Sequence, residues 1–87
     1  MSRESILKEI DRERDRQDKM WGGADHDDTH THHDWAAFIT AYVGQAVFNP
    51  GGGWKFDRRY FRSSMIKIAA LAVAAAEWCD RKLVPQH

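Results

Sequence analysis

Two acidic residues near the carboxyl end of the chain have a spacing that suits a divalent cation. Glu77 and Asp80 are three positions apart, so in a helix their side chains lie on one face, close enough to bind one ion. Carboxylate oxygens are the ligands that Mg²⁺ prefers. The alternative is a pair of surface acids balanced by Arg81 and Lys82. The spacing alone favours the surface pair.

Basic residues cluster earlier in the same segment. Arg59 and Arg62 share a helical face, and Lys67 follows five positions later. A guanidinium group donates two parallel hydrogen bonds to phosphate oxygens, so the phosphate tail of a nucleotide is a natural ligand. The alternative is an exposed first helical turn, where cations are mildly unfavourable. The cluster therefore predicts phosphate binding for at least one of these residues.

The polar stretch at residues 22–34 contains four of the five histidines and four aspartates. His26 and His30 offer imidazole groups, which suit Zn, Ni or Cu, while Asp27 and Asp28 offer carboxylates, which suit Mg or Mn. The spacing matches neither a tight zinc pattern nor the HExxH motif. A solvated loop is therefore the main interpretation, and a metal site is the minor alternative.

Three helices are predicted to position these groups. The first has neither proline nor glycine until Gly22 ends it. Thr31 or Asp34 is the expected N-cap of the second helix, and Asp57 that of the third. The glycine-rich segment 49–53 separates the last two. The predicted helices cover residues 4–21, about 34–48 and about 57–83.

The first helix has apolar residues at both ends of one face and polar residues between them. Glu13, Arg14 and Gln17 occupy the middle of that face. Either the helix presents these side chains to a site, or they form solvated pairs at i,i+4 spacing. The periodicity slightly favours the pairs.

The third helix is apolar on nearly every side between residues 68 and 76. Such a helix is normally buried all round, yet two other helices in an 87-residue chain offer it little cover. Cys79 is the only cysteine, so a disulfide cannot reinforce the fold. We therefore predict one all-α domain over residues 1–87, a bundle of about three helices. Its core would be completed by a dimer or tetramer through the alanine-rich third helix.

The charge balance and the apolar runs exclude several classes of protein. Lys+Arg and Asp+Glu number 13 each, and a formal charge of zero argues against bulk nucleic-acid binding. The longest apolar run falls short of the ~20 residues needed to cross a bilayer. Residues 1–20 are too charged for a secretory signal. These features predict a cytoplasmic protein without a membrane partner.

Several segments together resemble a known family. The residues ERDRQDKMWG at 13–22 resemble the ERxRQxxKWG opening of small phage and prophage proteins. In those proteins this opening is followed by an HDD-x-H loop, like residues 26–30 of this chain, and then by a helix that begins with tryptophan, like the helix at Trp35. Their last helix resembles residues 65–81. These proteins are similar to the all-α nucleoside triphosphate pyrophosphohydrolase superfamily, which includes MazG and dUTPases.

The resemblance implies Mg²⁺-dependent hydrolysis of a nucleoside triphosphate to the monophosphate and pyrophosphate. Glu77-x-x-Asp80 matches the ExxD motif of the family's later helix. The family's earlier ExxE-type motif is missing, because residues 35–48 contain no acid; Glu9 and Glu13, or the loop aspartates, are possible substitutes. The candidate catalytic residues are Glu13, Glu77 and Asp80; the candidate nucleotide-binding residues are Gln17, Trp21, Arg59, Arg62 and Lys67; the candidate metal ligands are Glu77, Asp80, His26, Asp27, Asp28 and His30.

Three functional hypotheses follow from the sequence. The first is a phage-type MazG-like protein of the host cytoplasm that binds a nucleotide, with its hydrolysis left open. The second is a non-catalytic protein that sequesters a nucleotide or inhibits a host protein. Four tryptophans motivate it, since exposed aromatic residues anchor interfaces, and an exposed Trp54 would favour it. The third is transition-metal binding through the histidine-rich loop.

Overall fold

The computed structural model describes residues 2–48 and 56–83, and these residues form four helices without a strand. The all-α fold class is confirmed. The loop predicted at residues 22–34 is wrong in part, because a short extra helix occupies its first half. The predicted break at 49–53 and Trp54 lie outside the described residues. The helices are α1 (Arg3–Trp21), α2 (Gly23–Asp27), α3 (His32–Val47) and α4 (Arg58–Leu83).

Local capping interactions fix most of the helix ends. Gly22 ends α1 in the left-handed conformation with φ of 97°, and its N–H donates to the carbonyl of Asp18 at 2.9 Å. Thr31 and Asp34 form a reciprocal capping box at the start of α3. The Asp57 carboxylate accepts the Tyr60 N–H at 3.1 Å and caps α4. Thr31 and Asp34, the two candidates for the N-cap of the second predicted helix, therefore both take part in capping α3.

Helix α4 is the centre of the fold. It packs against both α1 and α3, which make no close backbone approach to each other within the described residues. The four helices of the described residues are therefore organised around α4. The core lies between α3 and α4, where Trp35, Leu71 and Ala74 are buried together.

The alanine-rich segment of α4 is covered on one side only. Ala70, Leu71 and Ala74 are buried, whereas Ala72, Val73 and Ala76 are exposed. Within a single chain the other helices therefore leave one side of this segment exposed, as the sequence analysis expects. A partner chain on the exposed side remains a prediction. No helix among the described residues has both the length and the apolar character to cross a membrane.

The buried part of α1 is its polar middle. Arg14 is 8 % exposed and Gln17 is 3 % exposed, whereas the apolar residues Leu7 and Met20 are 56 % and 51 % exposed. The apolar ends of the predicted face therefore contribute less to the packing of α1 than its polar residues do. Since buried polar groups need hydrogen-bond partners, the partners of Arg14 and Gln17 indicate how α1 is held on α4.

Candidate functional site

A cleft between α1 and α4 collects the basic residues that the sequence predicts for phosphate binding. Its volume is about 300 Å³, and its charged lining contains three cations and two carboxylates. The surplus of positive charge favours an anionic ligand. We call it the α1–α4 cleft; its charged residues are Glu9, Glu13, Arg59, Arg62 and Lys67.

The cations of the α1–α4 cleft differ in how firmly they are held. Arg62 donates hydrogen bonds to both carboxylate oxygens of Glu9, at 2.9 and 2.6 Å. These bonds lower the pKa of Glu9 and raise the pKa of Arg62. Arg59 is exposed and forms no ion pair with another described residue. Arg59 is therefore free to bind a ligand, while Arg62 is fixed in place.

Glu13 and Gln17 join this cleft to the backbone of α4. Arg16 donates two hydrogen bonds to Glu13, at 2.9 and 2.6 Å, and these lower the pKa of Glu13. The Gln17 amide Nε2 donates to Oε2 of Glu13 at 3.3 Å and to the carbonyl of Lys67 at 3.4 Å. Gln17 Oε1 is buried without a hydrogen-bond partner. The structure thus brings together the predicted residues Glu13, Gln17 and Lys67.

Arg14 is the centre of a separate ionic cluster, which we call the Arg14 cluster. Its Nε donates to Oε1 of Glu77 at 2.8 Å, its Nη2 donates to Oδ2 of Asp27 at 3.3 Å, and its Nη1 contacts Asp18. Burial disfavours the charged guanidinium, yet hydrogen bonds to Asp18 and Glu77 raise the pKa of Arg14 overall. The pair of Arg14 with Asp18 has the i,i+4 spacing that the sequence analysis favours for the polar residues of this helix. The bonds to Asp27 and Glu77 are long-range and were not predicted.

The predicted cation pair does not share a cavity with the predicted phosphate site. Glu77 belongs to the Arg14 cluster, Asp80 is exposed, and neither lines the α1–α4 cleft. Ten positions of α4 separate Glu77 from Lys67, or roughly 15 Å along the helix axis. In the described part of the chain, no three His, Cys, Asp or Glu side chains are grouped to hold a metal ion. A cation at Glu77 and Asp80 stays a prediction.

Residues of the histidine-rich segment line a second cavity, of about 310 Å³. His26 and His30 meet edge to face with their ring centroids 4.9 Å apart, and both line this cavity together with Asp27 and Trp21. Asp28 lies outside the lining and accepts two hydrogen bonds from Arg81, at 3.1 and 2.9 Å. Arginines therefore engage both aspartates that this segment contributes to the predicted metal ligands, Asp27 and Asp28. Trp21 lies in a different cavity from Arg59.

No family model, curated protein or solved structure matches this chain. Its function is therefore proposed from the chemistry of its own residues.

Proposed function

We propose that this chain is a phage-type, MazG-like member of the all-α nucleoside triphosphate pyrophosphohydrolase superfamily that binds the phosphate groups of a nucleotide in the α1–α4 cleft. The observation that supports this proposal most strongly is that Arg59, Arg62 and Lys67 line one cleft together with Glu13. The all-α fold agrees with it.

The three cations have different roles in this proposal. Arg59 has an unpaired guanidinium, so it can donate two parallel hydrogen bonds to phosphate oxygens. Lys67 supplies a compact positive charge. Arg62 donates two of its five N–H groups to Glu9 and keeps the others for a ligand. The fixed Arg62 orients the bound phosphate, and the more exposed Arg59 closes over it.

The cleft also offers carboxylates that fit an Mg²⁺ ion. Mg²⁺ is usually bound by one or two carboxylates together with substrate phosphates. Such a site does not need a group of three His, Cys, Asp or Glu side chains, which the described residues lack. Glu13 lies among the cations and would hold an ion that arrives with the nucleotide. Glu77 and Asp80, which lie outside the cleft, are the other candidate ligands. When bound, Mg²⁺ would offset the negative charge on the phosphate oxygens.

A non-catalytic form of the same function, nucleotide sequestration, has support of its own. Glu9, Glu13 and Glu77 each accept a hydrogen bond from an arginine, respectively Arg62, Arg16 and Arg14. A metal ion would have to compete with these partners, which weakens the cation site that hydrolysis requires. Arg59 forms no ion pair with another described residue, so phosphate binding by this side chain has no such competitor.

Calorimetric titration with a panel of nucleoside triphosphates, with and without Mg²⁺, tests the proposal when pyrophosphate release is assayed in parallel. Binding with Mg²⁺-dependent pyrophosphate release would identify a hydrolase. Binding without release would identify a sequestering protein. An absence of binding to every nucleotide of the panel would contradict both forms.

A further inference from the structure

The second cavity is lined mainly by aromatic rings. Trp35 is 5 % exposed and lies at its floor, whereas Trp21 and Phe38 are 37 % and 39 % exposed and lie at its mouth. Tyr42 and the rings of His26 and His30 complete the aromatic lining. A volume of about 310 Å³ is at the small end of the range for ligand pockets. We call this feature the aromatic cavity.

The charge beside the aromatic cavity is negative. Asp27 is the one carboxylate in the lining, which contains neither lysine nor arginine among the described residues. The cation that Asp27 contacts is Arg14, which also contacts Asp18 and Glu77. One guanidinium therefore faces three carboxylates, so the Arg14 cluster keeps an excess of two negative charges.

Aromatic rings and a carboxylate favour the same kind of ligand. The faces of aromatic rings carry negative electrostatic potential and attract cations, and cages of such rings recognise quaternary ammonium groups. A phosphate or carboxylate ligand would instead meet the carboxylate of Asp27, whose one cationic partner, Arg14, is shared with Asp18 and Glu77. We infer that the aromatic cavity binds a small organic cation with an alkylated ammonium group. This site is separate from the α1–α4 cleft and does not depend on nucleotide binding.

A matched pair of probes separates cation recognition from simple apolar binding. Choline carries a trimethylammonium group, and 3,3-dimethylbutan-1-ol has nearly the same shape without the charge. Titration of each into the full chain, followed by calorimetry and by tryptophan fluorescence, should show tighter binding of choline by on the order of tenfold. Equal affinities would overturn the inference, and so would a failure of choline to bind.

Two substitutions at the mouth locate the binding. Trp21→Leu and Phe38→Leu should each weaken choline binding several-fold, because each removes an aromatic ring from the lining. Phe56→Leu is the matched control, since Phe56 is 69 % exposed and lies outside this lining. Asp27→Asn should reduce the preference for choline over the neutral alcohol. If Asp27→Asn fails to fold, Trp21→Leu and Phe38→Leu still test the assignment. If neither of these two variants changes the affinity for choline, the assignment is overturned.

Discussion

Arg14 on α1 donates a hydrogen bond to Glu77 on α4 at 2.8 Å, although the two residues are 63 positions apart in the chain. The same guanidinium also reaches Asp27 on α2. One buried side chain therefore connects three of the four helices. It also connects two features that the sequence suggested separately, the polar middle of α1 and the acidic end of α4.

Replacement of Arg14 should destabilise the fold strongly. Arg14→Met would leave Asp27 buried without its cation, and the loss of one partner from a buried ion pair costs several kcal/mol. Because Asp18 and Glu77 are about half exposed, we expect a loss of roughly 2–4 kcal/mol in the free energy of unfolding. Arg16→Met is the matched control: Arg16 is about half exposed and Glu13 keeps its hydrogen bond from Gln17, so the loss should be no more than about 1 kcal/mol. Urea denaturation measures the free energy of unfolding of both variants, and equal losses for Arg14→Met and Arg16→Met would contradict this role of Arg14.

Stability should fall in acid because of the paired carboxylates of α1. Hydrogen bonds from Arg62 and Arg16 lower the pKa values of Glu9 and Glu13 below their ordinary value of 4.5. The folded state then binds fewer protons than the unfolded state, so stability from these pairs is complete above about pH 5 and is lost as the pH falls through the lowered values. Melting temperatures between about pH 3 and pH 6 test this prediction. Glu13→Gln should reduce the acid slope, and an unchanged slope would show that Glu13 does not contribute.

Replacement by alanine should change the stability of the protein in opposite directions at two glycines. Gly22 has φ of 97°, and a Cβ there would lie 3.3 Å from the Cβ of His26, so Gly22→Ala should destabilise the protein by about 1 kcal/mol. Gly44 is exposed within α3, and a Cβ there would meet no atom within 4 Å. Gly44→Ala should therefore stabilise the protein by about 0.5–1 kcal/mol. Chemical denaturation of both variants measures the difference. A stabilising Gly22→Ala would contradict the account of Gly22, and a destabilising Gly44→Ala would contradict that of Gly44.

Self-association through the exposed side of α4 is a further prediction. Val73 is 41 % exposed beside the exposed Ala72 and Ala76, and small residues let a second backbone approach closely. Val73→Glu should shift the chain toward the monomer in sedimentation velocity experiments, because a buried unpaired charge is unfavourable at an interface. Leu7→Glu introduces the same charge at an exposed residue of α1 and should leave the association unchanged. A monomeric wild-type protein at all concentrations would contradict the prediction.

The elements that the sequence predicts well are those with local causes. Gly22 and the Thr31–Asp34 capping box act within a few residues, so the carboxyl end of α1 and the start of α3 can be predicted from composition and spacing. Helix α2 was missed because its residues, GADHD, are typical of a polar loop. The pair of Arg16 with Glu13 has a local signal at i,i+3 spacing, which makes it predictable in the same way.

The composition of the candidate site was only partly predictable, because it depends on which helix faces meet. Spacing alone places Arg59 and Arg62 on one face of α4. It does not reveal that the Glu13 face of α1 lies against them, or that Arg81 pairs with Asp28 across 53 positions. Sequence spacing also placed Glu77 with Asp80 but could not show that Arg14 already engages Glu77. Such long-range pairs are determined by tertiary packing.

The most direct test of nucleotide binding in the α1–α4 cleft compares two adjacent arginines. Arg59 lines the cleft, whereas Arg58 is exposed and lies outside its lining. We therefore titrate the wild type, Arg59→Gln and Arg58→Gln with the tightest-binding nucleoside triphosphate. The proposal predicts on the order of tenfold weaker binding for Arg59→Gln, from the loss of a charge-assisted bidentate contact, and nearly unchanged binding for Arg58→Gln. Equal affinities for the two variants would contradict phosphate binding in this cleft.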